Sequence, residues 1–104
     1  MTTTEALDIM RKRLKITWAD DIEDSNIEMM IKSGMAYIDR SAGESVDYAT
    51  DDIALELLYV FVMYARSDSI AAFREAYAPD LLALHLRYKA KRAKNEVESN
   101  EAEE

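Results

Sequence analysis

The sequence predicts an all-α fold, a compact bundle of about four helices with a flexible acidic C-terminal tail, and three observations lead to it. Two glycines and one proline in 104 residues are too few for an all-β domain, which needs turn residues at frequent intervals. Apolar residues recur at spacings of three and four along most of the chain, the period of a helix with one buried face. Capping residues with acids close behind stand in front of these periodic stretches, as helix starts require.

The first stretch opens with Thr2 and Glu5 at capping-box spacing, and Leu7, Met10 and Leu14 follow on one face, which predicts a helix from about Thr3 to about Arg13. Arg11, Lys12, Arg13 and Lys15 lie at its end, where the helix dipole favours cations; contact with an acidic partner surface is the competing reading. Lys15 to Trp18 form a short link that holds the only tryptophan. The acids Asp20, Asp21, Glu23 and Asp24 do not fit a calcium loop, because Ile22 takes a ligand position and the required glycine is missing. They are better read as acids near the positive start of the next helix.

Ser25 and Glu28 make a second capping box, and Ile27, Met30, Ile31, Gly34, Met35 and Ile38 then mark the clearest amphipathic helix in the chain. Gly43 is placed to end it in the left-handed conformation, and Gly34 on its inner face would let another helix come close. After a loop from Glu44 to Asp47, Thr50-Asp51-Asp52 starts a third helix running to about Arg66. Ile53, Leu57, Phe61 and Tyr64 give it one face, and Leu58, Val60, Val62 and Ala65 make it apolar nearly all round. Such a helix is the centre of the fold or has a face that belongs to a neighbouring subunit. Tyr59 to Val62 is strand-like in composition, but no turn signal bounds it.

Ser67-Asp68-Ser69 interrupts the chain before Ile70, Phe73 and Tyr77, which fit a short helix. Pro79 either kinks that helix or opens the last one, where its missing N–H costs nothing. Leu81, Leu84 and Tyr88 line the last helix, Leu82 and Leu86 broaden its face, and Arg87, Lys89, Lys91, Arg92 and Lys94 close it. A domain of this size could bury the leucine stripe only partly, so part of it is expected to be covered by another chain. Residues 95–104 are polar and acidic, with too little apolar content to fold alone, and either stay solvated or lie back on the basic cluster. The domain is therefore expected to span residues 1–94, with 95–104 as a tail.

Chemistry is hard to assemble from these residues. There is no cysteine, so neither disulfides nor thiolate metal sites are possible, and His85 is the only histidine. No nucleophile motif surrounds a serine, and Gly34 and Gly43 are too far apart to cradle a phosphate. Paired acids such as Asp51/Asp52 sit where helix starts explain them. No catalytic, cofactor-binding or metal site is expected. The formal net charge of −8 repels a phosphate backbone at long range. The first two helices read as a helix-turn-helix would place only Lys32 and Arg40 on the recognition helix, residues 26–42. Ile53 to Ala65 is interrupted by Glu56 and falls short of the ~20 residues that cross a bilayer. The N-terminus lacks the charged and apolar regions of a secretory leader, so cytoplasmic synthesis is the default expectation.

The order of the pieces resembles the small head-tail connector, or adaptor, proteins of tailed phages and prophages. The similar landmarks are Leu14-Lys15-Ile16 after a short first helix, Asp20-Asp21, Ala36-Tyr37-Ile38-Asp39-Arg40 before Gly43, and Asp52-Ile53 with Leu57, Val60 and Tyr64-Ala65-Arg66. Phe73-Arg74-Glu75-Ala76-Tyr77 leading to Leu81-Leu82-Ala83-Leu84 completes them. They span roughly residues 5 to 90, and none is a catalytic signature. The loop between the second and third helices is shorter than in many relatives, and the acidic tail has no counterpart in the pattern.

The resemblance implies a structural, non-enzymatic subunit of a dodecameric ring in the virion, docked on the portal protein and followed by a tail-side connector or stopper protein. DNA would pass through its channel without specific binding, and no membrane is involved. The residues expected to meet these partners are Leu81, Leu84, Arg87, Tyr88, Lys89, Lys91, Arg92 and Lys94. A small helical regulatory or antitoxin-like protein-binding module is the alternative.

Overall fold

The structure, a computed structural model, describes the backbone of residues 1–16 and 20–103 and the side chains of those up to Val97. Trp18 and the end of the link that holds it lie outside the described residues. Five helices are present, α1 (Thr3–Arg13), α2 (Asp21–Ala42), α3 (Asp52–Arg66), α4 (Ile70–Ala76) and α5 (Ala78–Glu103). The all-α class is as expected; the count is five because the short segment before Pro79 closes as an element of its own.

α1 begins with the expected capping box: the Glu5 N–H donates to Thr2 Oγ1 at 3.1 Å, and the Thr2 N–H donates to Glu5 Oε1 at 3.4 Å. It buries Ala6, Leu7 and Met10 and packs on α2. The basic residues at its end meet carboxylates of this chain. Arg13 forms a two-pronged pair with Glu56 of α3 at 2.7 and 3.1 Å and lies 3.7 Å from the centre of the Tyr59 ring, while Arg11 reaches Asp24 at 3.2 Å.

α2 starts earlier than its sequence signal. Asp20, not Ser25, is the N-cap, accepting from the Ile22 and Glu23 N–H groups at 2.9 and 3.2 Å. Asp21, Glu23 and Asp24 thereby fall in the first turn, where the exposed N–H groups and the dipole favour negative charge. Ser25 and Glu28 sit inside the helix. Its C-terminus is as expected: Gly43 has φ +83° and its N–H donates to the Asp39 carbonyl, a conformation that costs a residue with a Cβ.

The centre of the bundle is α2, not α3. Ile27, Ile31, Gly34, Ile38 and Ala42 form its buried stripe, and α1, α3 and α5 all pack on it. Gly34 allows α3 its close approach, since a Cβ there would stand 2.8 Å from both Leu58 Cδ1 and Phe61 Cδ1. α3 presents Ala54, Leu58, Phe61 and Val62 inward. Ile53, expected on the same face, is 60% exposed. The Asp51 cap, which accepts from the Ala54 N–H at 3.0 Å, fixes the phase that turns Ala54 in and Ile53 out.

The chain leaves α3 through Asp68 in the left-handed region, φ 54°, which Asp tolerates better than most residues. α4 then carries Phe73, fully buried, into an aromatic cluster. Its ring centroid lies 5.4 Å from Phe61, 5.9 Å from Tyr64, 5.3 Å from Tyr77 and 6.2 Å from Tyr37, distances at which aromatic pairs contribute beyond their buried area. Pro79 lies in the first turn of α5, where it removes no intrahelical bond. α5 is 26 residues long, about 39 Å at 1.5 Å per residue, and accounts for much of the 58 Å long dimension. Its backbone runs on through Glu103, so the boundary expected at residue 94 is not a change of secondary structure. Alanine and glutamate, both good helix formers, supply much of that segment. No helix is long and apolar enough to cross a membrane among the described residues.

Candidate interaction surface

The eight residues singled out on α5 fall into three groups. Leu81, Leu84 and Tyr88 are 8%, 2% and 7% exposed; this chain covers them itself, against the expectation that another chain completes their burial. α5 lies along the outside of α2 and turns this stripe onto it, which a helix contacting only its sequence neighbours would not do.

Arg87 and Arg92 form the second group, and both are tied back to the loop between α2 and α3. Arg87 donates to both oxygens of Asp51 at 3.2 and 2.9 Å, and the Tyr88 hydroxyl donates to Asp51 Oδ2 at 2.6 Å. Asp51 thus caps α3 and anchors α5 at once. Burial pushes its pKa up, but the hydrogen bonds from Tyr88, the Ala54 N–H and Arg87 outweigh that and hold the carboxyl below its usual value. Burial, reinforced by Asp51, pushes the Tyr88 hydroxyl up to about 12. Arg92 donates to the Ala42 carbonyl at 3.0 Å and to Glu44 Oε1 at 2.8 Å. Its guanidinium lies over Gly43, where a Cβ would meet Nη2 at 3.1 Å. Two turns back, His85 Nδ1 lies 3.0 Å from the Ser41 carbonyl, so the histidine helps to fix α5 on the end of α2.

A carboxylate whose pKa is lowered on folding stabilises the fold above its unfolded pKa, and that stability is lost as pH falls through the folded pKa. Asp51→Asn is therefore expected to cost about 1–3 kcal/mol at neutral pH, through the loss of charge-assisted hydrogen bonds. Urea melts of wild type and variant should converge as the pH is lowered through the carboxylate range. A gap that stays constant with pH contradicts this role.

Lys89, Lys91 and Lys94 form the third group and are exposed; none is paired with a carboxylate among the described residues, and Lys91 lies 5.7 Å from the centre of the Tyr88 ring. The apolar surface lies elsewhere. Leu82 and Leu86, expected to widen the buried face, are 58% and 53% exposed on α5, and Ile53 is 60% exposed on α3. Ile53, Leu57, Val60, Tyr77, Ala83 and Leu84 line a mostly apolar groove between the two helices. Ile22 and Met29 on α2 and Met63 near the C-terminal end of α3 are also exposed.

Sequence reasoning missed the residues that order the loop between α2 and α3. Asp39 accepts from the Tyr48 hydroxyl at 2.8 Å and from the Val46 N–H at 3.1 Å. Burial, with that carboxylate beside it, pushes the Tyr48 pKa up. Tyr48 and Val46 are buried, and their apolar character inside a polar loop was the available signal. No family model matches the chain, and no curated protein or solved structure is significantly similar to it.

Proposed function

We propose that the chain is a structural subunit of a phage head-tail connector ring that docks on a portal and passes DNA from head to tail. The observation that carries the reading is the exposure of large apolar side chains on separate elements, Ile53 and Met63 at opposite ends of α3, Leu82 and Leu86 on the outer face of α5, and Ile22 and Met29 on α2. Ile53 and Met63 are about 15 Å apart along the helix axis. A ring is built from heterologous contacts, so each subunit must present two different surfaces, and apolar side chains exposed on separate elements suit that need. The sequence landmarks of the connector pattern add support, since Tyr37, Tyr64, Phe73 and Tyr77 meet in one cluster. The excess of acids suits a channel wall that lets DNA slide without gripping it.

Co-sedimentation with the cognate portal, with mass measurement of the product, tests the proposal. A ring seated on the portal is the expected result. A discrete two-fold dimer that ignores the portal would instead favour a regulatory module. Random duplex DNA at physiological salt is expected to show no binding in the micromolar range, because non-specific affinity requires several phosphates to be neutralised. Tight binding with a steep salt dependence contradicts a passive channel.

A further inference from the structure

α5 outruns the body it packs on. Among the side chains described, those up to Val97, the last with a partner in the body is that of Arg92, at the C-terminal end of α2. Ala93 to Val97 are all exposed, and the backbone stays helical from there to Glu103. From Ala93 to Glu103 that is about 16 Å of helix. Beyond Lys94 the chain carries Glu96, Glu98, Glu101, Glu103 and Glu104 and no basic residue, and Val97 is 56% exposed.

A surface of the opposite character lies between α2 and α4. Two adjoining clefts share Ser33, Phe61 and Ile70; Met30 lines one, and Tyr37, Arg40 and Arg74 line the other. Both arginines are exposed. Arg74 lies 5.3 Å from the centre of the Tyr37 ring, and neither arginine forms an ion pair with a carboxylate among the described residues. On a chain of net charge −8, two unpaired guanidinium groups beside an apolar floor favour an acidic segment with an apolar side chain. The chain's own tail cannot supply it as a straight helix: α5 passes Ser41, Ala42 and Glu44 and continues beyond the end of α2, away from the cleft.

We infer that the projecting acidic end of α5 docks into the α2–α4 cleft of a second copy, with Val97 on the apolar floor and the acids around it paired with Arg40 and Arg74. The contact is head-to-tail, the kind that closes into a ring when the rotation allows and extends as a filament when it does not. It rests on the connector reading for ring closure only, so the two fail separately.

Two variants test it, Arg40→Glu/Arg74→Glu and a chain ended after Lys94, with circular dichroism to confirm that each is folded. Analytical ultracentrifugation at low ionic strength should show wild type self-associating, and less so as salt is raised. Each variant alone should be monomeric. Mixed, they should form a one-to-one complex and nothing larger, because the double variant keeps its tail and the shortened chain keeps its cleft. A monomeric wild type, self-association of either variant as strong as wild type, or a mixture that stays monomeric overturns the contact. Portal binding by both monomeric variants would leave the connector reading standing, whereas a wild type that self-associates through this contact and ignores the portal would sink only that reading.

Discussion

Phe73→Ala is expected to cost about 3–5 kcal/mol, the range for removing a fully buried phenylalanine when the lost transfer energy and the remaining cavity add. Phe73 is 0% exposed and touches the rings of Tyr37, Phe61, Tyr64 and Tyr77, so one truncation removes contacts to α2, α3 and the junction before α5. Domains of this size are stable by about 5–15 kcal/mol, and a loss of this order removes a large share of that margin. Phe61→Ala, 3% exposed in the same cluster, should cost a similar amount. The double variant should cost less than the sum, because the two rings share a cavity. Urea melts followed by circular dichroism measure all three. A loss below about 1 kcal/mol for Phe73→Ala would place it among ordinary surface substitutions and contradict the aromatic cluster.

The parts of the fold legible in the sequence are those fixed by local chemistry. The Thr2/Glu5 box, the stop at Gly43 and the limits of α3 each depend on a few neighbouring residues, and Gly34 stood out because its stripe is otherwise bulky. The start of α2 was misread because Asp20 and Ser25 are both competent caps, and the choice between them depends on how the chain arrives from α1. Periodicity showed that Leu81, Leu84 and Tyr88 share a face, but not which surface covers that face, since covering by α2 and covering by another chain leave the same pattern. The basic cluster posed the same problem. A cation favoured by a helix end, one clamped on Asp51 and one free for a partner are the same residue type, and only the tertiary arrangement separates Arg87 and Arg92 from Lys89, Lys91 and Lys94. The Tyr48–Asp39 hydrogen bond joins a loop to a helix with no period to announce it, and the apolar character of Val46 and Tyr48 inside a polar loop is the one trace it leaves in the sequence.

Leu84 and Leu86 separate the core face of α5 from its outer face. Leu84 is 2% exposed and Leu86 53%. An aspartate at 84 would leave a carboxylate without a partner where α5 meets α2, a penalty of several kcal/mol, added to the loss of a buried leucine at about 2–5 kcal/mol. Leu84→Asp is therefore expected to detach α5 or unfold the isolated subunit, with no partner present. Leu86→Asp should change stability by no more than about 0.5 kcal/mol, as exposed substitutions do, while weakening portal docking on the function proposed above, because the new charge must be desolvated in the contact. Thermal melts of the two variants alone, followed by co-sedimentation of whichever stays folded, give the comparison. Equal melting of Leu84→Asp and wild type would mean that α5 is rotated and its leucine stripe faces outward. A folded Leu86→Asp that docks as well as wild type would remove the outer face of α5 from the partner surface and leave Ile22, Met29 and Met63 as the apolar set available to the portal.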